Sequence, residues 1–192
     1  MRRTADEALR TRESIVDAAR PLFAAHGFAD TSTGGVVEGA GVTRGALYHH
    51  FADKTALFLA VFTQIEHELN DTVTAAALAE SDPFDAFVAG CRALLDFVVR
   101  PDYHQIVVVD GPAVLGSAAW HDIDAAIGLA NMEAGLRALE RAGRLRVPSS
   151  PALAVLAFGA LTEAGVVLSR GAPGAPGRDE LIDGLLRLLT VG

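Results

Sequence analysis

A chain of 192 residues with 51% hydrophobic residues and a mean hydropathy of +0.31 can bury a sizeable core and is far too apolar for a disordered polymer. Its single cysteine, Cys91, excludes an internal disulfide and any cysteine-built zinc cage. The net charge of −8 argues against a general attraction to nucleic acid, but residues 1–58 carry seven basic and seven acidic residues while the other 134 carry nine and 17. A surface for polyanions therefore has to be local and has to lie in the opening stretch. No uninterrupted apolar run reaches the roughly 18 residues of a membrane span. The start, MRRTADEALRTRES, has no apolar segment behind its basic residues and does not read as a secretory signal. These features point to a cytoplasmic protein with no membrane partner.

Helical spacing and helical punctuation run through the chain. Thr4 and Glu7 have the spacing of a capping box. Ile15, Ala18, Ala19, Leu22 and Phe23 then recur at three- and four-residue steps. Pro21 inside this pattern predicts a kink. Gly27 suits a left-handed stop, with Phe28 folding back on the last turn. A short helix is expected over about 33–40, with Gly41 making the turn. Thr43 then caps a second short helix to about residue 50. Asp53 caps a long helix starting near Lys54 and carrying Leu57, Phe58, Val61, Phe62, Ile65 and Leu69. Pro83 opens the next helix. QIVVVD, residues 105–110, is the only β-like run, and one isolated strand has nothing to pair with. A long helix is expected from residue 117 or 120 to about 142, another from Ser150-Pro151 to near Arg170, and a last one over 178–191 after the flexible GAPGAPG segment. The chain reads as all-α, about nine helices in total. It divides into a helix-turn-helix domain over 1–53 and a helical ligand-binding and dimerisation domain over 54–192.

The informative stretch is GVTRGALYHHFADK, residues 41–54. Two short helices joined at a glycine form a helix-turn-helix, whose second helix enters the major groove. Leu47 and Phe51, four apart, form the buried stripe. Thr43, Arg44, Gly45, Ala46, Tyr48 and His49 lie outward or at the helix start. Gly45 and Ala46 keep the helix thin enough to approach base edges, and Ala46 suits a thymine methyl. Arg44 suits a guanine or a phosphate, and Tyr48 and His50 can donate to phosphate oxygens. Lys54 adds a charge and a helix amide end to the same backbone. His49 and His50 project about 100° apart and cannot chelate one ion well, so no metal is expected, and no cofactor.

The combination LFAAHGFADTST and AGVTRGALYHHFADKTALF, within residues 4–62, closely resembles the DNA-binding domain of the TetR/AcrR repressor family. Carried over residue by residue, that resemblance implies DNA contacts at Thr33, Thr43, Arg44, Gly45, Ala46, Tyr48, His49, His50 and Lys54. It also implies a homodimer on a double-stranded operator and a C-terminal pocket for a small-molecule effector whose binding releases the DNA.

A pocket needs an apolar wall with a few polar groups. The candidates for effector contact are Phe62, Cys91, His104, Asp110, Trp120, Met132 and Glu163. Glu163 stands out, because a carboxylate within an apolar helix wants a partner. Cys91 reads most simply as a small buried hydrophobe. The last two helices carry more apolar surface than one stripe requires, and a two-fold four-helix interface would bury it. The alternative function is an all-helical small-molecule carrier or enzyme with no DNA binding. Against an enzyme, the sequence has no nucleophile elbow, phosphate loop or metal-ligand helix motif. A carrier would leave residues 43–54 unexplained.

Overall fold

The computed structural model describes residues 5–191; Thr4, and with it the proposed capping box, lies outside them. Among the described residues nine helices follow one another. They are α1 (Ala5–Asp30), α2 (Thr33–Ala40), α3 (Arg44–His50), α4 (Lys54–Leu78) and α5 (Pro83–Val98). After them comes α6, three contiguous segments Pro101–Tyr103, His104–Asp110 and Gly111–Leu115. The chain ends with α7 (Ser117–Arg141), α8 (Pro151–Arg170) and α9 (Arg178–Leu189). The all-helical reading holds, and the one β feature among these residues is an isolated antiparallel bridge between Leu145 and Thr190.

The chain forms two compact units: Met1–Ile65 with Pro101–Trp120, and Glu66–Arg100 with His121–Gly192. In the first, Ile15, Val16, Ala19 and Phe23 of α1 are buried with Val36 of α2, Leu47 of α3 and Leu57, Phe58, Val61 and Phe62 of α4. Phe23, Phe28 and Phe58 form an aromatic cluster. Phe23 and Phe28 are stacked at 6.0 Å, and both meet Phe58 edge-on at 5.3 Å. Phe28 thus does fold back on α1. In the second, Phe87, Cys91, Leu95 and Val98 of α5 are buried with Met132, Leu136 and Leu139 of α7, Ala154, Phe158 and Leu161 of α8, and Ile182, Leu185 and Leu189 of α9.

Two local expectations are corrected, and one is met: residues 105–110, β-like in composition but discounted as a strand, are helical in the π register. Helical packing needs only Ile106 and Val107 of that run buried, and an isolated strand would have left its backbone groups unpaired. The break in α1 falls at Gly27 (φ 72°, ψ 173°), not at Pro21, where the backbone stays helical. Finally, α8 is long and apolar enough to cross a membrane by length and composition, with a mean hydropathy of 1.9 over 18 residues, a third of them buried. Its apolar character continues onto its outward face, where Val155 is 55% and Leu156 71% exposed.

Candidate nucleic-acid interface

The helix-turn-helix is built from local signals that the structure makes explicit. Ser32 caps α2 by accepting the Gly35 amide at 3.1 Å. Gly41, at φ 64°, ψ 30°, ends it in the left-handed conformation and donates its own amide to Glu38 and Val37 carbonyls; glycine reaches this conformation without a Cβ clash. Thr43 caps α3 through the Ala46 amide at 3.1 Å, and Asp53 caps α4 through the Ala56 amide at 2.8 Å. Ser14 of α1 donates to the Ala40 carbonyl at 3.2 Å, and the Arg12 guanidinium lies 5.1 Å from the Phe51 ring centre. These contacts tie the end of α2 and the end of α3 back to α1.

Within α3, Leu47 is fully buried while Tyr48 is 47% exposed. Thr43, Arg44, Gly45 and His49 are exposed; Ala46 and His50 are half-buried. The rings of His49 and His50 meet edge-on with centres 5.3 Å apart, and no group of three His, Cys, Asp or Glu suited to a metal occurs among the described residues. Thr33, the first residue of α2, is half-buried. One leucine thus holds the short helix, and its outward side carries a cation, a phenol and an imidazole beside two residues too small to obstruct approach.

Lys54 departs from the expectation of a free charge. Its Nζ donates to the carbonyls of Phe28 (2.7 Å), Ala29 (3.2 Å) and Thr31 (3.1 Å) and stands 4.4 Å from the Phe28 ring centre. A cation at this point meets carbonyls that the helix leaves without intrahelical donors. The same turn is held from α6. The Asp110 carboxylate accepts the Phe28 amide at 2.7 Å and the Gln105 side-chain amide at 3.2 Å. Thr31, buried, donates to the carbonyls of Gly27 (2.8 Å) and Leu22 (3.0 Å).

The seven expected effector residues divide between the two units. In the first, Phe62 is fully buried core, Asp110 is committed to the α1–α2 turn, and Trp120 donates its indole N–H to the Val107 carbonyl at 2.9 Å. A Cβ at Gly111 would stand 2.8 Å from Trp120 and 3.2 Å from Phe62, so glycine is required where these two rings close on the backbone. His104 is the exception, its Nδ1 buried with no hydrogen-bond partner. In the second unit Met132 and Cys91 are core, and burial pushes the Cys91 thiol up to about 12. Glu163 corrects the reading of a carboxylate in an apolar interior: it is exposed, on the same outward side of α8 as Val155 and Leu156. The buried carboxylates are instead Glu66 (2% exposed) and Asp124 (7% exposed), both missed from sequence. Asp124, Gly128, Met132, Gly135, Leu136 and Leu139 recur at three- and four-residue steps along α7, and that stripe was the available signal.

An all-helical chain whose capped α2–α3 pair presents α3 outward defines the class: a helix-turn-helix transcriptional regulator. The family description "Bacterial regulatory proteins, tetR family" matches residues 15–61, and "Tetracyclin repressor-like, C-terminal domain" matches residues 84–191. The chain belongs to the TetR family. It is 43% identical over 70 residues to the HTH-type transcriptional regulator AcrR of Shigella flexneri, a match covering 36% of this chain and 33% of AcrR, so it spans about a third of that relative's length. A TetR-family transcriptional regulator of Pectobacterium atrosepticum matches in structure with a TM-score of 0.79 at 35% identity, over 97% of this chain and 94% of that one. RolR, solved with the ligand resorcinol, shares the fold with a TM-score of 0.72 at 18% identity, over 97% of this chain and 90% of RolR.

Proposed function

We propose that the protein is a cytoplasmic, homodimeric repressor that binds a palindromic operator through α3 and leaves it when a small molecule binds its helical body. The observation that carries this reading is the outward face of α3, held by one buried leucine and a threonine cap. Arg44 contacts a guanine or a phosphate, Ala46 and Gly45 permit approach to base edges, and Tyr48, His49 and His50 contact the backbone. Thr33 and Thr43 add contacts from the starts of α2 and α3. Lys54 acts through position: its ammonium fixes the turn that leads into α2, and only its helix amide end faces phosphate. Two copies of α3 then meet half-sites about 34–36 Å apart.

Dimerisation is assigned to α8 and α9. Val155 (55%), Leu156 (71%) and Leu188 (76%) are exposed there beside Gly159, Ala160 and Gly184, residues small enough to let helices of two subunits pack closely. Leu156→Arg is expected to give a 20.0 kDa monomer in sedimentation while far-ultraviolet circular dichroism stays unchanged. A wild-type chain that is already monomeric at micromolar concentration would contradict the assignment. A small-molecule effector is supported by family membership and by the likeness to RolR, solved with the ligand resorcinol. Release requires the effector to prefer the state that does not bind DNA. α4 is one continuous helix from Lys54 to Leu78 and contributes to both units, so a displacement of its far half is carried to the Lys54 clamp.

The direct test is a gel shift with DNA from just upstream of the coding sequence. Wild type is expected to bind it, and Arg44→Ala to lose about 1–3 kcal/mol of affinity. Unchanged affinity in Arg44→Ala removes its role; no binding by wild type removes the regulatory reading.

A further inference from the structure

α6 lies along α1 in a fixed register. The Arg20 guanidinium meets the Asp102 carboxylate at 2.7 Å, and the Phe28 amide meets the Asp110 carboxylate at 2.7 Å, each pair 82 residues apart. In a regular α-helix the seventh residue after Asp102, Val109, would return to within about 20° of it, and Asp110 would point about 80° away. The π turn takes in one additional residue, so Asp110 occupies the place that Val109 would hold, and Val109 stands 47% exposed. A second contact carries the same signature. The Gln105 side chain donates to Asp110 at 3.2 Å; residues five apart are neighbours across a π turn but lie about 140° apart on an α-helix. Both side chains close over Gly27, where a Cβ would lie 3.2 Å from Gln105 Nε2 and 3.4 Å from Asp110 Oδ2. Pro112 lacks an N–H, so in either register one carbonyl has no backbone donor: Val107 when bonds span five residues, Val108 when they span four. The Trp120 indole donates to the Val107 carbonyl at 2.9 Å, the one that the π register leaves open. In an α register the Gly111 amide would take that carbonyl, and the indole would lose it.

We propose that the π segment of α6 is a one-residue register switch for the DNA-binding head, and that Trp120 is the positioning residue that selects its latched state. In the π register the Asp110 carboxylate holds the Phe28 amide, and with it the turn into α2 and α3. A slip to the α register brings Val109 against that amide, which then loses its acceptor, and the turn is released. The two registers leave the same number of carbonyls to Pro112, so the Trp120 hydrogen bond weighs in full on the choice between them. The consequence for DNA rests on the regulatory reading; the register switch itself does not.

The test uses the full chain and reads hydrogen exchange at the Phe28 amide, with far-ultraviolet circular dichroism as the check on folding. Trp120→Phe keeps a ring and removes the indole donor, and exchange at Phe28 is expected to accelerate by about tenfold or more. Val109→Asp puts a carboxylate at the position that the α register presents, so either register can hold the amide. In that background Trp120→Phe is expected to change Phe28 exchange by less than about twofold. Deleting Val109 moves Asp110 into seventh place after Asp102 and should protect the amide in the same way, so either rescue suffices if the other variant does not fold. Unchanged exchange in Trp120→Phe overturns the switch. So does equal acceleration in the wild-type and both rescue backgrounds, which is what a simple packing defect at Trp120 produces. A parallel gel shift with upstream DNA keeps the two readings apart, affinity being expected to fall and recover with Phe28 protection. The exchange pattern without DNA binding by wild type removes the regulator and keeps the switch; DNA binding without the exchange pattern does the reverse.

Discussion

The α1–α2 turn and the Asp124 face of α7 use polar residues in apolar surroundings in opposite ways. Around residues 27–31 the Lys54 ammonium meets three carbonyls and the Asp110 carboxylate meets two amides. On α7 a more deeply buried carboxylate, Asp124, has an oxygen with no protein donor. The first arrangement fixes the backbone that leads into α2 and α3. The second carries a cost of desolvation that no protein donor offsets at that oxygen.

Charge removal should therefore act with opposite sign in the two places. The largest effect is expected at Asp124. Its folded-state carboxyl sits at about 6 against an ordinary 3.8, so the folded chain holds a proton that the unfolded chain has released. Stability falls as pH rises through that window, and the full penalty is present above it. A shift of this size corresponds to roughly 3 kcal/mol. Asp124→Asn should raise stability toward that figure in urea titrations above the window and leave it nearly unchanged below 3.8. A variant less stable than wild type at alkaline pH would show that the carboxylate is satisfied after all.

Next in size is Lys54→Met, which keeps the length of the side chain but leaves three carbonyls without their charged donor. Hydrogen bonds to a charged group contribute about 1.5–3 kcal/mol, and the half-exposed position favours the lower end. The expected loss is about 2 kcal/mol, seen as early melting of the head by hydrogen exchange at residues 28–36. Full stability in this variant would mean that the clamp is ornamental. The smallest effect is expected from Gly27→Ala. Its φ of 72° with ψ of 173° is a conformation nearly confined to glycine, and the new Cβ would lie 3.2 Å from Gln105 Nε2. A cost of about 1–2 kcal/mol follows, and a variant as stable as wild type would argue for a different backbone there.

What could be read from sequence was local. Caps at Thr43, Asp53 and Ser150, the stop at Gly41 and the starts at Pro83 and Pro151 each depend on a few neighbouring residues, and the helices fall where those signals lie. The outward and inward sides of α3 follow from helical period and were legible too. The errors concern partners distant in the chain. Nothing near Lys54 announces carbonyls 23 to 26 residues earlier, and nothing near Asp110 announces an amide 82 residues away. The β-branched run at 106–109 looks like a strand by composition, and the absence of any pairing partner was what correctly argued against one. Glu163 misled because its apolar neighbours suggested an interior that would demand a partner, whereas it lies exposed on the outward side of α8.

The central claim is that α3 reads DNA, and its most direct measurement is the salt dependence of affinity for upstream operator DNA and for a scrambled duplex, in wild type and Arg44→Ala. Wild type should prefer the operator and lose affinity steeply with salt. Arg44→Ala should either narrow that preference, if the guanidinium reads a base, or reduce the log–log slope by about 1, if it reads a phosphate. Identical slopes and identical preference in the two proteins would contradict the account.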